Sequence, residues 1–126
     1  MLGEGRVKFF AFTNDLPSVY ASSAFMAYPS LLEGFPLAMV EGMKYRLPVV
    51  AVDALPGVRD MVLDGETGLV SAPTVEAYSA ALSRLMSDGG LRTKMGESAR
   101  AFCAERYSRE GILAQWEQLL ARVAGE

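Results

Sequence analysis

The sequence predicts an α/β fold in which a mostly parallel sheet of about four strands is flanked by helices, with a helical C-terminal third. Two observations support this. Short apolar runs alternate with helical periods through residues 1–73, as in β-α-β units. Residues 74–126 contain helical periods alone. At 126 residues the chain fits a single domain with an α/β portion and a helical portion.

Four apolar runs are the predicted strands, because each is bounded by turn-forming residues. They are residues 7–12, 24–28, 48–52 and 68–70. Helices are predicted between them, at residues 17–23, 36–43 and 58–63. Pro36 suits a first helical position, where its missing N–H costs nothing.

The helical third divides into three predicted helices. Thr74 and Ser108 are candidate N-caps, since their hydroxyls can accept a hydrogen bond from the first helical turn. Apolar residues recur at helical spacing in each segment. The three stripes are Tyr78, Ala81, Leu82 and Leu85; Leu91, Met95, Ala99 and Phe102; and Ile112, Leu113, Trp116, Leu119, Leu120 and Val123.

Composition excludes several classes of function. With 51% hydrophobic and 21% charged residues the chain is globular, and a net charge of -3 with scattered basic residues predicts no nucleic-acid partner. The chain has no histidine, the commonest metal ligand, and one cysteine, Cys103, so we expect no internal disulfide. Cys103 shares a face with Ala99 and Phe102, which predicts a core thiol.

The sequence also predicts where the protein resides. Residues 1–6 lack the basic flank and apolar run of a signal peptide, and no apolar stretch reaches the ~20 residues of a membrane span. We therefore expect no transmembrane segment and a cytoplasmic protein, either free or peripheral at the inner membrane surface.

Two carboxylates flank the start of the predicted helix 36–43. Glu33 follows a predicted strand, and Glu41 lies in the helix after seven intervening residues, about two turns in. At ~1.5 Å rise per residue they lie roughly 10–12 Å apart along the axis, comparable to the span from a ribose to a sugar across a diphosphate. Unpaired N–H groups at the helix start suit phosphate oxygens.

This segment resembles the retaining glycosyltransferases of group 1 (family 4), which have the two-domain GT-B fold and an E-x7-E motif. Several motifs of that family occur in order. They are Pro29-Ser30, Glu33-Gly34-Phe35-Pro36, Glu41-Gly42-Met43, Pro48-Val49-Val50-Ala51, the turn from Asp64 to Val70, and the helix from Asp88 to Arg100. The resemblance implies a truncated C-terminal, donor-binding domain with a partial Rossmann-like fold.

The resemblance also implies roles for individual residues. Glu33 is the candidate catalytic residue and binds hydroxyls of the transferred sugar, and Glu41 accepts hydrogen bonds from the ribose. Backbone groups of Gly34, Phe35, Pro36 and Leu37 face the sugar and diphosphate. Thr13 and Asn14 match the loop that contacts the base in relatives.

The chain departs from the family in three residues and in extent. Gly42, Arg46 and Asp60 replace the usual Ala, Gly and Glu. Relatives begin this domain with two βα units that carry a glycine-rich turn and an Arg and Lys pair, and they have an N-terminal acceptor domain. We therefore expect no transfer by this chain alone, and a partnership with that missing domain or another subunit. Unpaired strand edges also predict a homodimer.

Two alternative functions remain open. One is a non-catalytic binding or assembly module derived from the same fold. The other is a generic nucleotide-binding α/β domain, such as half of an epimerase. Asp53 and Asp60 could be taken for a metal pair, but no further ligands accompany them. The resemblance implies no bound metal and no cofactor besides the nucleotide-sugar substrate, so we expect none. Phe9, Phe10, Phe12 and Trp116 are predicted to pack against other apolar groups and not to stack on a ligand. The apolar stripe of the last helix, Trp116 included, is a candidate contact surface.

Overall fold

The computed structural model describes residues 6–54 and 56–125, and within these residues it confirms the α/β fold. Three parallel strands form one sheet in chain order: β1 (Met26–Tyr28), β2 (Val49–Val52) and β3 (Gly68–Ser71). The helices are α1 (Leu16–Ser22), α2 (Leu37–Lys44), α3 (Val58–Met61), α4 (Val75–Ser87), α5 (Gly89–Arg106) and α6 (Arg109–Val123).

The central strand β2 is buried on both faces and divides the core into two clusters. Such a strand needs an uninterrupted apolar run, which Val-Val-Ala-Val supplies. Val49 and Ala51 pack with α2, α3 and the C-terminal part of α5. Val50 packs on the opposite face with α4 and the start of α5. Because α5 contributes to both clusters, it joins the two helical layers.

Glycines permit two close contacts in this arrangement. A Cβ on Gly68 of β3 would overlap the carbonyl oxygen of Val49 in β2. A Cβ on Gly96 of α5 would overlap the carbonyl oxygen of Arg46, just beyond α2. The absent side chains therefore let a strand and a helix approach their neighbours.

The predicted helix caps are confirmed. The hydroxyl of Thr74 accepts a hydrogen bond from the N–H of Ala77 at 3.2 Å, and that of Ser108 accepts one from Gly111 at 3.1 Å. Asp88 caps α5 in the same way, with Oδ1 2.8 Å from the N–H of Leu91. These contacts are local, so residue type and position predict them.

The prediction of a strand at residues 7–12 is wrong, and the sheet has three strands where about four were expected. This run has no regular secondary structure. Phe9, Phe10 and Phe12 are 90%, 85% and 90% exposed, so they do not form the buried strand that was predicted. Trp116 on α6 is 56% exposed, in the stripe predicted as a contact surface. A strand needs a neighbour for its backbone hydrogen bonds, and within the described residues the run has none.

We predict that Gly68→Ala lowers the free energy of unfolding by about 1–3 kcal/mol, because the new methyl group meets backbone of β2. Gly90→Ala is the matched control, since its Cβ would find only ordinary contact, with Asp88 Oδ1 at 3.5 Å. The control should be neutral or gain up to about 1 kcal/mol from helix propensity. Urea unfolding measures both, and equal stability of the two variants would contradict the close contact.

Candidate functional site

The two candidate carboxylates lie on either side of the start of α2. Glu33 is exposed in the loop from Pro29 to Pro36, which leaves the carboxyl end of β1. Glu41 is the fifth residue of α2, on its exposed side. The fifth residue is about 1.4 turns into a helix, so the expected two turns were an overestimate.

Glu33 is held by two hydroxyl groups. The hydroxyl of Tyr28, the last residue of β1, donates to Oε1 of Glu33 at 2.9 Å. The hydroxyl of Ser30 lies 2.8 Å from the same oxygen. The sequence predicted neither contact. Both donors converge on one oxygen of the carboxylate.

Glu41 is held from the opposite side, by α1. The hydroxyl of Tyr20, a buried residue, donates to Oε2 of Glu41 at 3.1 Å. Both residues line a cavity of about 350 Å³, whose remaining lining is Asn14, Leu16, Pro17, Lys44 and Tyr45. The rings of Tyr20 and Tyr45 are 5.5 Å apart. Glu41 therefore faces a partly apolar cavity of small-molecule size.

The turn between the carboxylates is well ordered by local contacts. Pro36 is buried and is the N-cap of α2 instead of its first residue. Its carbonyl accepts hydrogen bonds from the N–H groups of Met39 and Val40, and Phe35 accepts one from Leu37. In the described part of the chain, Ala38 is the one first-turn residue whose N–H shows no partner. Fewer free donors thus face solvent than the sequence predicted.

The remaining predicted site residues divide between the two carboxylates. Asn14 lines the cavity beside Glu41, whereas the hydroxyl of Thr13 accepts a hydrogen bond from the N–H of Asp15 at 3.0 Å. Gly34, which follows Glu33 in the chain, and Leu37, the first residue of α2, are both exposed. Phe35 is half exposed, and its ring meets that of Tyr107 edge-on at 6.0 Å.

The environment strengthens the preference of both site tyrosines for the protonated form. Burial raises the pKa of Tyr20 above its usual 10.0, and the hydrogen bond to Glu41 raises it further. Burial likewise raises the pKa of Tyr28, followed by its hydrogen bond to Glu33. A carboxylate next to a phenol disfavours phenolate, so each tyrosine acts as a donor.

Other reactive side chains are occupied elsewhere. Arg59 donates two hydrogen bonds to Asp53, at 3.0 and 2.7 Å, and this guanidinium lowers the pKa of the carboxyl group. Cys103 is buried with Sγ 3.5 Å from the carbonyl oxygen of Val40, and burial raises the pKa of its thiol, which confirms the predicted core position. Across residues 6–54 and 56–125 no cluster of three or more metal-ligating side chains occurs.

The motif from Asp64 to Gly68 forms a structural turn. Gly65 has a φ of 80°, which favours glycine, and its N–H donates to the carbonyl of Gly68. Oδ1 of Asp64 accepts the N–H of Val70 at 2.9 Å, and the buried Thr67 accepts the N–H of Leu63. The motif therefore aligns β3 and adds no group to the carboxylate pair.

The parallel sheet with helical crossovers and a polar loop at its carboxyl edge defines the Rossmann-like class of nucleotide-binding folds. The sequence matches the family "Glycosyl transferases group 1" over residues 2–102. The chain belongs to this family, and its fold is part of a GT-B glycosyltransferase domain, as the resemblance predicted.

Individual relatives agree with this assignment. An uncharacterized glycosyltransferase of Haemophilus influenzae is 34% identical over 93% of this chain and 33% of its own length. The amylovoran biosynthesis glycosyltransferase AmsD of Erwinia amylovora is 31% identical over 86% of the chain and 30% of its own length. The chain thus spans about a third of these relatives.

A solved structure shows the same fold. Anabaena Alr3699/HepE, in a complex with UDP and glucose, superposes with a TM-score of 0.83 and is 28% identical. The superposition covers 94% of this chain and 33% of that protein. In the described part of our chain, no helix is long and apolar enough to cross a bilayer.

We predict that the free energy of unfolding falls as the pH rises above 10.0, because unfolded tyrosines ionise there while folded Tyr20 and Tyr28 keep their protons. Their contribution is complete below that pH and is lost as the pH rises through the higher folded pKa values. Urea unfolding about one pH unit below and above the usual tyrosine pKa measures the loss.

The double variant Tyr20→Phe/Tyr28→Phe should lose less stability across this interval. Tyr45→Phe/Tyr107→Phe is the control, since these two hydroxyls make no hydrogen bond within the described residues. An identical pH dependence in the two double variants would contradict the assigned hydrogen bonds.

Proposed function

We propose that this chain forms the donor site of a group 1 glycosyltransferase and binds a nucleotide sugar. The observation that carries the proposal is the pair of carboxylates flanking the start of α2, each held by a tyrosine hydroxyl. Ionised carboxylates accept hydrogen bonds from several hydroxyl groups, which ribose and hexose both offer. HepE, which shares the fold, was solved with UDP and glucose.

The surroundings of the carboxylates suggest which end of the donor each one binds. Glu41 lines the cavity of about 350 Å³ together with Asn14, so we assign it the ribose, and the Thr13–Asn14 loop the base. Glu33 is assigned the transferred sugar, as the candidate catalytic residue. The residues from Gly34 to Leu37, exposed except for Pro36, lie between them in sequence, and we assign them the diphosphate. Neither role requires a metal or a cofactor.

The reaction we propose for the whole protein is transfer of the sugar to an acceptor hydroxyl with retention of anomeric configuration. Because the chain spans about a third of its relatives, we propose that it binds donor but needs an acceptor domain or another subunit for transfer. AmsD is named for amylovoran biosynthesis. By analogy we propose a role in polysaccharide biosynthesis, in the cytoplasm or at the inner membrane surface.

Calorimetric titration with UDP-, GDP- and ADP-sugars, and with the free nucleoside diphosphates, tests donor binding. We expect Glu41→Gln to weaken both ligand classes about tenfold or more, because a charge-assisted hydrogen bond to ribose is lost. Glu33→Gln should weaken the binding of the nucleotide sugar and leave the binding of the free diphosphate unchanged. Glu117→Gln on the exposed surface of α6 is the matched control and should change neither. Absence of binding by the unaltered chain at millimolar ligand contradicts the donor-site function.

A second candidate function, an assembly module, is favoured by exposed apolar surface. Phe9, Phe10 and Phe12 project from the described part of the chain at 85–90% exposure, and α6 has no buried residue along its apolar stripe. Contiguous exposed apolar residues of this kind mark interaction surfaces. We propose that they pair two copies of the chain.

Light scattering at increasing protein concentration tests the pairing, and a dimer mass is expected. Replacing Phe9, Phe10 and Phe12 together by Ser should restore the monomer, because the buried apolar area is lost. Val75→Ser, at an exposed residue of α4, is the control and should leave the dimer intact. A monomer mass for the unaltered chain at the highest concentration would contradict pairing without affecting donor binding.

A further inference from the structure

The contacts of Glu33 are unequally divided between its two oxygens. Tyr28 and Ser30 both donate to Oε1, at 2.9 and 2.8 Å. Oε2 receives no hydrogen bond from any residue that the structure describes. Each carboxylate oxygen has about two acceptor positions, so two donors occupy Oε1 and leave Oε2 for a ligand.

The direction of these hydrogen bonds is determined by the chemistry of the groups. An ionised carboxylate only accepts, so both hydroxyls must donate. Ser30 has a second acceptor in reach, the carbonyl oxygen of Leu32, but at the longer distance of 3.3 Å. A hydroxyl has one hydrogen, and the shorter, charge-assisted contact to Glu33 is the stronger one.

The two donors are anchored more firmly than the residue they hold. Tyr28 lies in β1, in register with Ala51 of the buried strand β2, and its ring packs against the core. Ser30 is half buried two residues later. Glu33 itself is exposed in irregular backbone, where a glutamate side chain would sample several rotamers.

We propose that Tyr28 and Ser30 are positioning residues that bind Oε1 of Glu33 and thereby direct Oε2 toward a hydroxyl of the donor sugar. This inference rests on the proposed donor-site function and adds two residues that determine how well the sugar is recognised. A carboxylate already oriented loses less side-chain entropy when it binds, so the benefit appears only for ligands that carry the sugar. The raised pKa of Tyr28 agrees, since the phenol stays a donor.

The inference is tested by comparing the affinity for each nucleotide sugar with the affinity for its free diphosphate. The pairs are UDP-glucose and UDP, and the GDP- and ADP-sugars with GDP and ADP. Tyr28→Phe and Ser30→Ala should each weaken binding of the nucleotide sugar by about 3–10-fold, the usual value of one hydrogen bond. Binding of the free diphosphate should not change. Ser30→Thr keeps the hydroxyl, so it should bind the nucleotide sugar as tightly as the unaltered chain does.

Two control variants separate positioning from general damage to the loop. Tyr107→Phe removes a hydroxyl near the same loop while its ring keeps the edge contact with Phe35. It should leave the affinity for both ligands unchanged. Tyr20→Phe removes the hydrogen-bond donor to Glu41 and should weaken the binding of both ligands by the same factor. If Tyr28→Phe weakened both ligands equally, or neither, positioning of Glu33 toward the sugar would be refuted.

A measurement without ligand distinguishes this inference from the donor-site function. NMR relaxation of the Glu33 side chain should show restricted motion in the unaltered chain and free rotamer averaging in Tyr28→Phe/Ser30→Ala. Equal mobility in both proteins overturns the positioning role whatever the chain binds. If Glu33 is restricted but no nucleotide sugar binds, the donor-site function fails and the hydrogen bonds only shape the loop.

Discussion

Parallel pairing of β1 with β2 is the constraint on which the candidate site depends. Tyr28 lies beside Ala51, so the chain leaves β1 at the carboxyl edge of the sheet and must cross over through α2 before β2 begins. Loops that follow parallel strands gather at this edge, where α/β folds bind their ligands. The position of Glu33, between a strand end and a helix start, is a direct consequence of the topology.

Burial of α2 determines the direction of the second carboxylate. Met39, Val40 and Met43 are buried against the sheet and α5. At 3.6 residues per turn, the residue at position 41 lies on the far side of the helix from these three. The core therefore orients Glu41 toward α1, where Tyr20 meets it. Packing on one face of the helix positions the polar group on the other.

Local signals predicted much of this structure, and non-local contacts explain what was missed. The caps Thr74 and Ser108 follow from short patterns because their partners lie three residues along the chain. Strand β2 follows from its continuous apolar run because the core covers both of its faces. Residues 7–12 have an equally apolar pattern, but a strand also requires a neighbouring strand, which local composition does not reveal. The strand prediction failed there because the run has no neighbouring strand among the described residues, and not because its residues disfavour a strand.

In the candidate site, too, the features with a local signal were predicted and those that depend on tertiary contacts were not. Spacing and family resemblance identified both glutamates, whereas the tyrosines that hold them were missed. Tyr20 meets Glu41 across 21 positions of sequence, which no local pattern predicts. Tyr28 and Glu33 are five positions apart, yet they meet only because the loop after β1 turns back over the strand end. Hydrogen-bond partners in a site depend on tertiary geometry.

The helix α5 supports the backbone that follows α2. Arg46, just after α2, has a φ of 61°, a left-handed conformation that costs a non-glycine residue roughly 1–2 kcal/mol. Contacts with α5 oppose that cost: Gly96 permits close approach to the Arg46 carbonyl, and Glu97 pairs with its guanidinium at 2.8 Å. That pair is exposed and contributes little, so close packing is the larger effect.

At the other end of α2, Phe35 meets Tyr107, the residue that follows α5. The residues flanking α2 are therefore contacted by α5 or by the residue that follows it, and neither carries a candidate donor-binding residue. A shift of α5 would move Glu41 relative to Tyr28 and the sheet. The family match reaches residue 102, which lies in α5, well past both glutamates. The spacing of the two carboxylates thus depends on residues that lie more than 50 positions further along the chain.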